Sequence, residues 1–239
     1  MDLHNLTLAP VTARHRLERR GRQPEVPLAD PDERRRVLAD IVEAAVDHPE
    51  PLIVDLGCGP GALAVSLAER LPGASVVAVD SDLVALRRAR GAYGDRPGLR
   101  FVAGTVGTPG WTSALTLDRA PDALVSSDAL HTLTRRRLFR LVSDAAMLLR
   151  PGGVFVNADR LVEGDLQPQL DRLARLVRER HDPRLVADPD VRSDNPTFSE
   201  HVALLRAVGF AEAGAVWQRG DDRILVAIRE RYADAERVA

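Results

Sequence analysis

The segment Leu52-Ile53-Val54-Asp55-Leu56-Gly57-Cys58-Gly59-Pro60-Gly61 constrains this chain more than any other. An apolar run ends in glycines at alternate positions, and from Ala62 to Leu71 the apolar residues recur at helical spacing. That order is strand, tight turn and helix N-terminus. Glycines in such a turn allow positive φ and let a ligand lie against the main chain without meeting a Cβ. The free N–H groups and positive dipole end of the next helix favour an anionic or polar ligand group. The loop therefore reads as the cradle of a nucleotide-like cofactor.

The rest of the chain keeps the same rhythm. Strand-like runs fall at Leu52–Leu56, Ser75–Val79, Leu99–Ala103, Ala123–Ser126 and Val154–Ala158. Helical patterns lie between them at Ala62–Leu71, Asp82–Ala92 and Arg135–Leu149, with a short one near Trp111–Leu115. Upstream, Asp30-Pro31-Asp32-Glu33 is a helix start, and Val37, Leu38, Ile41, Val42 and Ala45 form one apolar stripe. Short apolar strands alternating with helices predict a doubly wound, mostly parallel sheet with helices on both faces. Ser199–Val208 then reads as a helix, and Ala211–Trp217 and Arg223–Ile228 as an antiparallel pair joined by a direct turn. Residues 160–195 break the rhythm, with a helical stretch at Leu166–Arg180 and a loop rich in Pro and Asp. The expected organisation is a polar arm or lid over 1–30 and one cofactor-binding domain over 31–239, with a substrate-cap insertion at 160–195.

Charge narrows the classes of partner. All 33 basic residues are arginine, balanced by 35 acids to a formal net charge of −2, so nothing draws the whole chain to nucleic acid or to an anionic membrane. No apolar run approaches the ~18 residues of a membrane span. The N-terminal residues lack the basic and apolar regions of a signal peptide. A single cysteine, Cys58, permits no internal disulfide, and a cytoplasmic location is the expectation. No second Cys or nearby His accompanies Cys58, so no metal site is expected.

Two cofactors satisfy the loop. Gly57-Cys58-Gly59-Pro60-Gly61-Ala62 fits the dinucleotide fingerprint, and Asp80 closes the second strand 19 positions after Gly61. An acid there accepts hydrogen bonds from the ribose hydroxyls of an adenosine. NAD and S-adenosylmethionine share that need, and loop plus Asp80 leaves both open.

Three features favour the second. Asp55 stands two residues before the first glycine, where dinucleotide strands usually carry apolar residues. Leu149-Arg150-Pro151-Gly152-Gly153 introduces the fifth strand, and the chain closes on a strand pair rather than a second catalytic domain. With Leu204-Leu205-Arg206-Ala207-Val208-Gly209-Phe210 before that pair, the sequence resembles the class I S-adenosylmethionine-dependent methyltransferases over residues 35–160 and 197–230. The resemblance implies a Rossmann-like methyltransferase fold of seven strands in the order 3-2-1-4-5-7-6, with strand seven antiparallel. It also implies S-adenosyl-L-methionine as cofactor. Asp55, Gly57, Cys58, Gly59 and Gly61 would lie by its methionine moiety, Asp80 by the ribose, and Ser81 and Leu83 by the adenine. Thr105 and Val106 occupy the place where family members often carry an acid for the adenine amino group, and Ser126 and Ser127 end strand four beside the sulfonium.

Methyl transfer mainly needs nucleophile and methyl brought together, which is worth ~7–11 kcal/mol, and a general base adds roughly 10²–10⁴-fold. Asp128 and His131 leave the sheet at the carboxyl end of strand four, where open α/β sheets bind ligands, and are the candidate acid–base pair. In similar family members a histidine at this position also braces the loop. The expected activity is methyl transfer to the oxygen or nitrogen of a small-molecule substrate, with a second copy of the chain as a candidate partner. The alternatives are an RNA or protein methyltransferase working through the arginine-rich arm, and a protein that binds or modifies the sulfonium cofactor without transferring methyl. The last of these rests on a loose similarity of residues 200–210 to carboxy-S-adenosylmethionine synthase.

Overall fold

A computed structural model describes residues 31–161, 196–219 and 222–231. The arm 1–30, nearly all of the insertion 160–195 and the helix expected at Leu166–Arg180 lie outside these residues. Helix α1 (Pro31–Ala45) leads into β1 (Leu52–Leu56), α2 (Ala62–Arg70), β2 (Ser75–Asp80), α3 (Leu83–Tyr93), β3 (Leu99–Ala103) and the short α4 (Trp111–Ala114). There follow β4 (Ala123–Ser127), a 3-10 turn (Leu130–Thr132), α5 (Arg135–Leu148), β5 (Val154–Arg160), α6 (Phe198–Ala207), β6 (Phe210–Arg219) and β7 (Asp222–Arg229).

The seven strands form one sheet in the order β3-β2-β1-β4-β5-β7-β6. The first five run parallel, and β7 is antiparallel to both β5 and β6. Strand β1 is buried along its whole length because helices cover both faces of the sheet. On one face, Ile53, Val125, Val156 and Ile224 pack with Leu38 and Val42 of α1 and Leu63 and Leu67 of α2. On the other, Leu56, Leu124, Phe155 and Leu225 pack with Leu138, Leu141 and Val142 of α5 and Leu205 of α6.

Local chemistry fixes the helix starts. Asp82 caps α3 by accepting from the Val84 and Ala85 N–H groups, and Thr134 caps α5 by accepting from Arg137 N. Thr197 and Glu200 form a capping box at α6. The start of the sheet is bolted by Asp122. Its fully buried carboxylate accepts from Leu52 N at 2.8 Å, Arg150 Nε at 2.6 Å and Arg119 Nη1 at 2.9 Å. Burial opposes its charge, but the Leu52 N–H and the two guanidiniums outweigh that and hold the carboxyl below the usual carboxylate range.

Strands β2, β4 and β5 run one or two residues beyond the apolar pattern. In β5 the extension carries Asp159 and Arg160, which pair in register with Arg223 and Asp222 of β7. Ladder pairing to a neighbour continues the strand where hydrophobicity has stopped.

Candidate active site

Every candidate residue lies at or beyond the carboxyl end of a strand, along one rim of the sheet. After β1 the chain turns through Gly57 (φ 74), Gly59 (φ 52) and Gly61 (φ 89), all left-handed, before α2 begins. The Gly57 and Cys58 N–H groups donate to Val79 O at 2.8 and 3.1 Å, which ties the turn to β2. Asp80 completes the tie, accepting from Gly59 N at 2.7 Å through one carboxylate oxygen and from Asp82 N at 2.7 Å through the other.

The three glycines serve different needs. A Cβ on Gly57 would stand 2.4 Å from Ala129 Cβ, so the loop after β4 presses directly on this turn. A Cβ on Gly61 would stand 2.8 Å from the Phe101 ring. At Gly59 nothing lies within 4 Å, so the turn opens a bare backbone surface there.

Beneath this turn sits Asp55, 1% exposed. Burial pushes its carboxyl up to about 7, against a hydrogen bond from the Ala64 backbone and with help from the nearby Asp80 charge. One of its oxygens, Oδ2, is buried without a hydrogen-bond partner. A buried orphan acceptor costs about 1–3 kcal/mol and marks a place where a donor is wanted. Cys58 is nearly buried, and desolvation followed by the Asp55 and Asp80 charges drives its thiol well above its ordinary value, so it stays a neutral thiol. Glycine surface, orphaned acid and Asp80 together fit a cofactor with a cationic or donor-bearing group and a hydroxylated sugar.

Beyond β2, Ser81 is exposed and Leu83 is 57% exposed, leaving apolar surface at the rim next to Asp80. Thr105 is exposed, with its carbonyl taken by Thr108, and the Val106 carbonyl accepts from Arg137. Ser126 is turned inward and donates to Leu56 O at 2.9 Å, so its hydroxyl is spent inside the sheet, whereas Ser127 is half-buried at the rim.

The loop after β4 carries the acid–base candidates. Asp128 has left-handed backbone (φ 55), its N–H donates to Ala158 O at 3.0 Å, and its carboxylate is engaged by Arg34 of α1. His131 is joined by a residue that the sequence reading did not single out. Fully buried Asp159 accepts from His131 N at 2.9 Å and pairs with His131 Nδ1 at 2.6 Å. That bond leads in raising the imidazole pKa, desolvation opposes it, and the Asp159 and Asp128 charges add to it. With Nδ1 committed to Asp159, Nε2 is the nitrogen left for proton exchange. The signal for Asp159 was an acid directly after the strand-like run Val154–Ala158, which hydrophobic periodicity does not register.

The family model for a methyltransferase domain matches residues 53–153. A trans-aconitate 2-methyltransferase of Methylobacterium radiotolerans is 34% identical over 128 residues, 52% of this chain and 43% of the relative. Ribosomal RNA small subunit methyltransferase A of Cupriavidus metallidurans is 30% identical over 206 residues, 82% of this chain and 66% of the relative. The chain thus spans between 43% and 66% of the length of these two relatives. Among solved structures, magnesium protoporphyrin IX methyltransferase of Synechocystis, with SAH bound, superposes with a TM-score of 0.59 at 19% identity, covering 94% of this chain and 90% of that one. Human N-acetylserotonin methyltransferase, in complex with SAM, gives a TM-score of 0.55 at 20% identity, over 90% of this chain and 62% of that one. At such identities the structural likeness is one of fold.

Proposed function

Because this chain belongs to the class I S-adenosylmethionine-dependent methyltransferases, we propose that it binds S-adenosyl-L-methionine at the glycine turn and catalyses methyl transfer to a small-molecule acceptor. The observation that carries the reading is the orphaned, buried Asp55 oxygen beneath a turn whose Gly59 backbone is open, with Asp80 alongside. When bound, the cofactor supplies a methyl group on a sulfonium, with a neutral thioether as leaving group.

The chain's own residues do the rest. Asp55 and the backbone from Gly57 to Gly61 hold the methionine end, and Asp80 takes the ribose hydroxyls. Ser81, Leu83, Thr105 and Val106 border the adenine, and Ser127 faces the reacting group. His131 Nε2 accepts the proton of an attacking hydroxyl or amine, while Asp159 holds the ring in the productive tautomer and stabilises the imidazolium that results. Asp128, held by Arg34, shapes the loop rather than exchanging the proton.

A small acceptor is supported by the names of two similar proteins, a trans-aconitate 2-methyltransferase and a magnesium protoporphyrin IX methyltransferase. The ribosomal RNA methyltransferase relative favours an RNA acceptor as the second reading. Binding to RNA that weakens steeply with added salt would carry it, since each neutralised phosphate releases counterions. The first reading is tested by isothermal calorimetry with S-adenosylhomocysteine. Wild-type protein binds, and Asp80→Ala does not.

A further inference from the structure

We propose that Arg34 is a positioning residue for the loop that carries His131, clamping that loop to the last strand of the sheet through Asp128 and Asp222. This rests on the assignment of His131 made above. Arg34 lies in the first turn of α1 and is only 5% exposed, yet it makes two ion pairs with partners far away in sequence. One guanidinium nitrogen meets Asp128, and another meets Asp222 Oδ1 of β7 at 2.6 Å. The fork of an arginine spans two carboxylates at fixed spacing, which a lysine cannot do.

The position of the clamp gives it meaning. Asp128 is one of two described non-glycine residues with left-handed backbone, a conformation that persists only where the surroundings enforce it. Its N–H is pinned to Ala158 O, and three residues on, His131 is pinned to Asp159 through both backbone and ring. Arg34 closes this circuit from the opposite side. Without it, the Asp128 carboxylate has no partner among the described residues, and no other described ion pair ties the loop to α1 or β7.

A neighbouring pair strengthens the assignment. Glu33, next to Arg34, meets Arg219 of β6 at 2.6 Å. The first turn of α1 is therefore latched to the β6–β7 hairpin at two successive residues and to the loop after β4 at one. The charged groups acting on His131 come from three elements: Asp159 of β5, Asp128 of its own loop and Arg34 of α1.

The test separates positioning from bulk charge and from simple support of the fold. Arg34→Lys keeps the positive charge and loses the fork, whereas Arg34→Met loses both. The His131 ring is followed by NMR across pH, together with the backbone amides of Ala129–Thr132, and S-adenosylhomocysteine affinity is measured on the same samples. Positioning predicts that in Arg34→Lys the loop amides shift and the His131 midpoint falls towards that of a free imidazole, because the ring leaves Asp159. Cofactor affinity stays within about twofold, because Arg34 does not touch the glycine turn. Loop amides that stay in place in Arg34→Lys, with a midpoint unchanged there and raised in Arg34→Met, would show a through-space charge and overturn the proposal. Wild-type protein that fails to bind S-adenosylhomocysteine would instead remove the methyltransferase reading and leave the clamp to be judged on the loop signals alone.

Discussion

At the scale of single residues, burial without a full set of partners sets the chemistry. Asp55 holds its proton up to about pH 7 in the folded protein, whereas an unfolded aspartate releases it near 4. The folded state therefore binds the extra proton between about pH 4 and 7, and the stability from this group is lost as pH rises through that window. A cation on the cofactor favours the ionised form. S-adenosylhomocysteine affinity is thus expected to rise from pH 5.5 to a plateau above about 7, and Asp55→Asn should flatten the curve. An equally steep curve in Asp55→Asn would assign the dependence to another group. His131 is shifted in the same direction for a different reason, because Asp159 favours its charged form. Its stabilising bond is fully present below the unfolded histidine value of about 6.5 and is lost as pH rises through the higher folded value. In steady-state assays with an acceptor that is turned over, the rate should rise with pH through a midpoint above about 6.5. His131→Ala should lower kcat by roughly 10²–10⁴-fold, and Asp159→Asn should move the midpoint down. An unchanged kcat in His131→Ala would leave the histidine a bracing role only.

At the scale of elements, the two ends of the sheet are specialised. The carboxyl rim keeps orphaned and strained groups, whereas the amino end is tied off by Asp122, Arg119 and Arg150. Asp122→Ala leaves the Leu52 N–H and two guanidiniums without their carboxylate, and should cost about 3 kcal/mol. For a chain of this size that is a melting midpoint lower by roughly 6–12 °C, with little change in cofactor affinity. Because Asp122 is held below the usual carboxylate range, the difference from wild type should shrink below about pH 4, as the carboxyl protonates. A melting point within a degree or two of wild type would show that the arginines find other partners. The elements themselves were largely legible, since apolar periodicity located each described strand and helix to within one or two residues. Asp82 was read as the first residue of α3 and proved to be its cap. The misses fell where charge rather than hydrophobicity continues a strand, as at Asp159 and Arg160 in β5.

At the scale of the whole molecule, the resemblance to class I S-adenosylmethionine-dependent methyltransferases, carried by the glycine turn, Asp55, Leu149–Gly153 and Leu204–Phe210, implied a seven-stranded sheet in the order observed. The proposed cofactor half of the site draws on residues close in sequence, because Asp55, the three glycines and Asp80 all lie on the β1–turn–α2–β2 unit. In the acceptor half Asp128 and His131 were singled out, but their partners were not. Arg34 reaches Asp128 across 94 positions and Asp222 across 188, and Asp159 reaches His131 across 28, so no local pattern announces them. They become visible only when the fold brings β4, β5, β7 and α1 to one rim. The claim on which the rest stands is that this rim binds S-adenosyl-L-methionine and, by the same contacts, its demethylated product. Calorimetry of S-adenosylhomocysteine with wild-type protein and with Asp80→Ala tests it most directly. The account predicts one site per chain, lost in Asp80→Ala while that variant still unfolds cooperatively from a folded state. Absence of binding by the folded wild-type protein, or equal binding by Asp80→Ala, would contradict it.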